Sequence, residues 1–195
     1  MVAPSRFCHV VYKTHRYDEM IDWYVRVFEA RIQHSDNKLT FLTYDDEHHR
    51  FAMLNLGPGT DRNASEDNAS VGVLHVAYAW NDIASLLGTY KRLKEMGVRP
   101  ATLIRHGVTL SLYYKDPDGN GMEFQIDLLS PDDANRFMAS PAWKANPIGE
   151  PWDPDLVLAR YEAGHPVDEL IFRSDQPELA RRNTYVKGVA GPALR

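Results

Sequence analysis

Three things are scarce in this sequence. Cysteine occurs once in 195 residues, at Cys8, so no internal disulfide can form, and a lone thiol fits a reducing compartment. Long apolar runs are missing: no stretch approaches the roughly 20 residues that a membrane-spanning helix needs. The opening Met-Val-Ala-Pro-Ser-Arg lacks the layout of a secretory signal. Positive charge is in deficit, with 22 Lys and Arg against 27 Asp and Glu and a net charge of -5. That balance gives no electrostatic footprint for nucleic acid. Asn63-Ala-Ser65 and Asn68-Ala-Ser70 have glycosylation spacing, but without a secretory signal they read as loop composition. The expectation is a cytoplasmic protein with neither nucleic acid nor membrane as partner. It is long enough to bury a core as one domain or as two modules sharing one.

What is present is a repeat. Phe7 to Tyr12 alternates as a strand, and Asp18 opens a helix carrying Met20, Ile21, Tyr24, Val27 and Phe28 at helical spacing. Residues 30–33, 39–44 and 50–56 read as three further strands. Gly57 to Ser70, rich in Gly, Asn, Asp and Ser and without periodicity, is a linker. The order then recurs. Val73 to Tyr78 is a strand. A helix follows from about Asp82, with Ile83, Leu86, Leu87, Tyr90, Leu93 and Met96 on one face and Gly97 at its end. Residues 101–105, 108–114 and 121–126 supply three more strands. Neither βαβββ half can cover its sheet alone, so the two must pack together. The expected fold is α+β, with modules over residues 5–57 and 71–127 in one domain, 1–128. Ser130-Pro131-Asp132-Asp133 then caps a short helix, and a Pro- and Trp-bearing segment leads to another near 155–163. From about Arg173 the chain is polar and basic enough to be mobile or to lie on a neighbouring subunit. Residues 129–195 thus read as a helical or irregular C-terminal extension.

The residues that carry chemistry cluster around one hairpin. Asp116-Pro117-Asp118-Gly119-Asn120-Gly121 is turn chemistry, because Pro presets φ while Gly and Asn tolerate positive φ. In the strand that follows, Met122, Phe124 and Ile126 share one face, and Glu123 and Gln125 the other. Glu123 is therefore either a solvent-facing carboxylate or a ligand facing an interior. His9 and His75 stand at corresponding points on the first strand of each unit. Taken singly, a strand histidine is more often bonded to backbone than to a metal, but the repeat places both at equivalent positions. Two imidazoles and one carboxylate form the facial set that holds non-haem Fe(II) with coordination positions left open. The same donors suit Mn, Co, Ni or Zn. In Glu47-His48-His49-Arg50-Phe51-Ala52, strand alternation lets only one histidine face that interior. It is either half of an exposed polar pair or a base whose ordinary pKa lies near the working pH. His106 and Tyr113, seven residues apart with a strand between them, can reach one pocket, although a loop histidine and a core tyrosine are the ordinary readings. His15, His34 and His165 have no such context. Cys8 reads as a small core hydrophobe, and Trp23, Trp80, Trp143 and Trp152 read as packing.

The repeated βαβββ units with His9, His75 and Glu123 in these places resemble the vicinal-oxygen-chelate superfamily. That superfamily includes glyoxalase I, fosfomycin-resistance proteins, bleomycin-binding proteins and type I extradiol dioxygenases. Ile104, His106, Leu112-Tyr113, Asp116-Pro117-Asp118-Gly119 and Glu123 are similar, element by element, to the extradiol ring-cleavage signature. Residues 47–52 resemble that family's Arg-His-His-(Ser/Thr)-Leu-Ala segment, whose second histidine is the acid-base residue; the match makes it His49. The likeness spans roughly residues 5–127. Arg50 departs from the usual small hydroxyl residue, and Glu47 from a common basic one, which bears on substrate preference. Typical members carry two such domains, and this chain resembles the smaller one-domain group.

The resemblance implies an open-barrel fold and Fe(II), with Mn(II) as the other candidate, held by His9, His75 and Glu123. It implies a catecholic substrate such as 2,3-dihydroxybiphenyl, bound through both oxygens and opened by O2 to a muconic semialdehyde-type product. His49 would take a proton from the second hydroxyl and return it as the O–O bond breaks. Tyr113 and His106 would hydrogen-bond substrate oxygen. A homo-oligomer is expected. The alternative is a non-redox use of the fold, as a glyoxalase-like isomerase or a drug-binding resistance protein. The isomerase normally needs a fourth protein ligand in the first unit's last strand, where Arg50-Phe51-Ala52-Met53-Leu54 offers neither carboxylate nor amide.

Overall fold

In the computed structural model, which describes residues 3–59, 71–176, 178, 185 and 186, the chain divides into two compact units. One is Met1–Leu74 with Lys115–Asn120, the other His75–Tyr114 with Gly121–Arg195. Most of the expected linker, including both Asn-Ala-Ser triplets, and most of the tail beyond Gln176 lie outside the described residues. The described strands form two sheets, of four and five strands, and with their helices make an α+β fold. No helix among the described residues is long and apolar enough to cross a membrane.

The first unit runs β1 (Val10–Thr14), α1 (Tyr17–Phe28), β2 (Arg31–Ser35), β3 (Leu39–Thr43) and β4 (Phe51–Asn55), in sheet order β1-β4-β3-β2. β1 lies parallel to β4, which the intervening helix permits, while β2 and β3, and β3 and β4, pair antiparallel. α1 buries Met20, Trp23, Tyr24 and Val27, one stripe at helical spacing. The helix starts at Tyr17, ahead of the expected Asp18 cap; Arg16 stands at its N-cap and makes no side-chain cap bond. The turn within Lys115–Asn120 belongs to this unit. Asp116 Oδ1 accepts from the amides of Asp118 and Asn120 at 3.0 and 2.8 Å, and Oδ2 accepts from the Tyr24 hydroxyl at 3.2 Å. Gly119 supplies the positive φ, +83°, that this turn requires.

The second unit repeats the order with β5 (His75–Ala79), α2 (Ile83–Glu95), β6 (Thr102–Arg105), β7 (Thr109–Lys115) and β8 (Gly121–Asp127). It adds α3 (Pro131–Met138), α4 (Pro141–Ala145), β9 (Glu150–Pro151), α5 (Pro154–Glu162) and α6 (Asp168–Ile171). Its sheet order is β5-β8-β7-β6-β9, with β5 parallel to β8. α2 buries Ile83, Leu86, Leu87, Tyr90 and Leu93, as its spacing predicts, and Gly97 at φ +79° follows its end. The Asp82 side chain accepts from the Ser85 amide at 2.7 Å. Replacing Asp82 by Ala should therefore cost about 1 kcal/mol of stability in urea titration, the ordinary worth of an N-cap. α5 is tied to α2 through the Asp155 carboxylate, which accepts from the Tyr90 hydroxyl at 2.9 Å and from Lys94. Trp152 is buried and donates through Nε1 to the Ser111 carbonyl at 3.0 Å, which fixes the start of α5 to β7.

The two parallel ladders share a register. Val10 pairs with Phe51 and Val11 with Ala52, whereas Val76 pairs with Met122 and Ala77 with Glu123. Setting Val10 against Val76 makes His9 the counterpart of His75 and Ala52 the counterpart of Glu123. His75 is the first residue of β5, but His9 precedes β1 by one residue, so it is not on the strand where it was expected.

Candidate active site

In the second unit, β5, β7 and the β6–β7 connection bring three polar side chains to one carboxylate on β8. Strand alternation sends Met122, Phe124 and Ile126 into the apolar core and Glu123 to the opposite face. Glu123 is nonetheless only 7 % exposed. Its Oε2 faces His75 Nε2 at 3.0 Å, and its Oε1 accepts from the Tyr113 hydroxyl at 2.8 Å. His106 Nε2 lies 2.7 Å from the same hydroxyl and 3.8 Å from Oε1. A phenol has one proton, and here it goes to the carboxylate, so His106 must be the Nε2–H tautomer donating to Tyr113. Burial and the Glu123 hydrogen bond both push the Tyr113 phenol well above its ordinary value, which keeps it a proton-bearing donor.

The first unit gathers a second set. The rings of His9 and His49 lie 4.4 Å apart by centroid, and His49 stacks on Phe41 at the same distance. His48 Nδ1 and His49 Nδ1 approach to 2.6 Å, so one donates and the other accepts. Burial pushes the His49 imidazole below its ordinary value, and the neighbouring His9 and His48 add to that. A neutral ring able to accept a proton is the result. Arg50 is gripped by Asp45, Nε to Oδ2 at 3.0 Å and Nη2 to Oδ2 at 2.9 Å. Its Nη1 donates to the carbonyls of Phe7 and Cys8 at 2.7 and 3.0 Å, fixing the backbone that leads into His9.

Several expectations are corrected. His48 and His49 lie in the bend before β4, not on a strand, so strand alternation does not separate them and both rings meet. Cys8 is exposed and not a core residue, because it lies outside β1, in the segment that leads to it. Arg173 and Gln176 are each 3 % exposed, although the sequence there reads as polar tail. Their partners lie in the β6–β7 connection and the segment after α4, and no local pattern announces that pairing. Within each unit the structure brings together His75, His106, Tyr113 and Glu123, and separately His9, His48 and His49. No group of three or more His, Cys, Asp or Glu side chains placed to hold a metal occurs among the described residues.

The donor chemistry can be tested against the metal that the resemblance implies. Among the described residues, the ion-pair partners of the buried Glu123 carboxylate are His75 and His106; neither Lys nor Arg neutralises it. A buried carboxylate is costly unless a cation or hydrogen bonds compensate it. With an imidazole at 3.0 Å and a phenol orienting its other oxygen, Glu123 has the surroundings of a metal-ligating carboxylate held by an outer partner. An imidazole and an oriented carboxylate are donor types that a divalent cation takes.

Comparison with known proteins gives the family. The sequence profile of the Glyoxalase/Bleomycin resistance protein/Dioxygenase superfamily matches residues 6–124. The chain is 43 % identical over 171 residues to biphenyl-2,3-diol 1,2-dioxygenase 2 of Rhodococcus globerulus, covering 87 % of this chain and 88 % of that protein. It is 34 % identical over 175 residues to biphenyl-2,3-diol 1,2-dioxygenase 3 of the same organism, covering 89 % and 91 %. Among solved structures, a glyoxylase/bleomycin resistance protein/dioxygenase domain from Frankia sp. matches with a TM-score of 0.51 at 15 % identity, over 64 % of this chain and 93 % of that one. A fosfomycin resistance protein from Mesorhizobium loti matches with a TM-score of 0.50 at 16 % identity, over 68 % and 99 %. Both likenesses bear on the fold alone. From the profile match and the extent of the two sequence relatives, the chain belongs to the Glyoxalase/Bleomycin resistance protein/Dioxygenase superfamily.

Proposed function

We propose that this chain is an extradiol dioxygenase that opens a catechol-type aromatic diol, such as 2,3-dihydroxybiphenyl, with O2. Its Fe(II) would be held by His9, His75 and Glu123. The observation that carries the reading is the buried Glu123 carboxylate, engaged by His75 on one oxygen and by the Tyr113–His106 pair on the other. The relatives' names support a diol as substrate. Fe(II), when bound, supplies open coordination positions for the diol and O2 and a path for electrons between them.

The protein's own groups do the rest. His49, held neutral by burial, accepts the proton from the second diol hydroxyl and later returns it. Tyr113 spends its proton on Glu123 and so orients that carboxylate, while His106 fixes the phenol from its other side. With the phenol proton on Glu123 and the His106 Nε2–H on Tyr113, what this pair offers a substrate hydroxyl is acceptor capacity, at the second lone pair of the phenol oxygen and at His106 Nδ1. Tyr113→Phe removes one hydrogen bond to a charged group, and turnover at saturating Fe(II) should fall about tenfold, with iron affinity lowered ~10- to 100-fold. Steady-state kinetics alongside metal analysis reads both. With this reading go a domain over residues 1–128 with an extension over 129–195, a cytoplasmic location and a homo-oligomer.

The non-redox alternative of an isomerase is disfavoured by one register fact. Ala52, the counterpart of Glu123 in the first unit, has no donor atom to serve as a fourth protein ligand. The deciding experiment is anaerobic purification and metal analysis, followed by a colour assay in air over monocyclic and bicyclic catechols. Iron with a yellow semialdehyde-type product is the expected result. No iron and no colour with any of the panel would end the dioxygenase reading.

A further inference from the structure

The β6–β7 connection carries His106, and the C-terminal extension encloses it. Arg173 is 3 % exposed, and its guanidinium is held by Asp175, Nε to Oδ1 at 3.0 Å and Nη2 to Oδ2 at 2.7 Å. That fork leaves Nη1 to donate to two carbonyls, those of Asn146 at 2.6 Å and His106 at 3.4 Å. Gln176 donates through Nε2 to the next carbonyl, that of Gly107, at 3.2 Å, and its Oε1 accepts from the Arg173 amide at 3.3 Å. The Phe137 ring of α3 lies 5.6 Å from the guanidinium carbon. Gly107 is at φ +93°, and a Cβ there would come within 2.7 Å of Phe137 and 2.8 Å of Arg173. On the other side, a Cβ on Gly149 would stand 2.8 Å from His106 Cα. The backbone on both sides of His106 is thus gripped by residues 137–176, and His106 in turn bonds Tyr113.

From this geometry we infer that Arg173 and Gln176 are positioning residues that hold His106 against Tyr113, so that the C-terminal extension sets the orientation of this pair. Their effect on turnover rests on the dioxygenase reading; their effect on the His106 ring does not. Arg is suited to the task because two nitrogens of its planar fork meet the carboxylate while the third reaches the carbonyls, a span that the single nitrogen of a lysine ammonium cannot cover. A purely structural Arg173 would instead stabilise the fold without any link to His106.

A double-mutant cycle separates the two. Arg173→Lys is expected to lower kcat by about tenfold, within the ~10²-fold that ångström-scale misplacement costs. In a His106→Ala background the same change is expected to alter kcat by less than about twofold, because the group it positions is gone. Equal losses in both backgrounds would overturn the inference. Gln176→Ala, which deletes one neutral amide, carries the same cycle if Arg173→Lys does not fold. A second readout is independent of turnover. In imidazole nitrogen NMR spectra of the metal-free protein, the His106 signal is identified by its loss in His106→Ala. It should shift in both variants while the His15 and His34 signals stay in place. If the wild type cleaves no catechol, the dioxygenase reading falls, and this spectrum still decides: an unmoved His106 signal refutes the positioning role.

Discussion

Glu123→Ala is expected to give a folded protein that neither retains iron nor turns over a catechol. The side chain lies on the face of β8 opposite Met122, Phe124 and Ile126, so its removal opens no hole in the apolar core. It does leave the Tyr113 hydroxyl and His75 without their partner, at a cost of about 1–3 kcal/mol for an orphaned polar group. A domain with the usual 5–15 kcal/mol of stability tolerates that. Metal binding does not tolerate it. Removing a group that merely orients a ligand lowers metal affinity ~10- to 100-fold, and removing the carboxylate itself must exceed that. Iron per chain and catechol colour, measured beside thermal unfolding, test the assignment. Full iron loading with wild-type colour in Glu123→Ala would remove Glu123 from the ligand set.

His49→Ala is expected to behave differently, keeping its iron while turnover falls by ~10²- to 10⁴-fold, the usual contribution of a general acid–base residue. The imidazole meets the requirements for that role. It lies beside His9, stacks on Phe41 and is held below its ordinary pKa by burial and by two neighbouring histidines. His48 is exposed and bonds His49 through Nδ1, so it is the natural control. His48→Ala should lower turnover by far less than His49→Ala. Iron content at the wild-type level with unchanged turnover in His49→Ala would sink the role assigned to it.

Much of the frame was legible because its signals are local. Turn chemistry over Asp116 to Gly121 marks the hairpin, and the structure shows Asp116 accepting from the amides of Asp118 and Asn120. The apolar stripe from Ile83 to Leu93, with Asp82 ahead and Gly97 behind, marks α2. Seven-residue spacing across a strand puts His106 and Tyr113 within reach of one another, and they meet at 2.7 Å. Where local signals are weak, legibility failed. α4 has five residues, α6 four and β9 two, too short for any periodicity to register. His48 and His49 were placed on a strand because the apolar run of β4 follows directly, but the strand begins only at Phe51.

The sequence by itself determined the repeated strand–helix–strand order, the hairpin turn and the candidate set of His9, His75, Glu123, His49, His106 and Tyr113. The order and the turn follow from residue type and spacing; the candidate set is what the family resemblance implies, and that resemblance alone chooses His49 over His48. Tertiary structure alone decided what surrounds them. The shared register that makes Ala52 the counterpart of Glu123 comes from strand pairing across 41 residues in the first unit and 46 in the second. Arg173 and Gln176 reach carbonyls 67 and 69 residues away. Hydrogen bonds over such separations depend on how the chain closes on itself, and no residue pattern near Arg173 encodes that its charge will be buried behind His106.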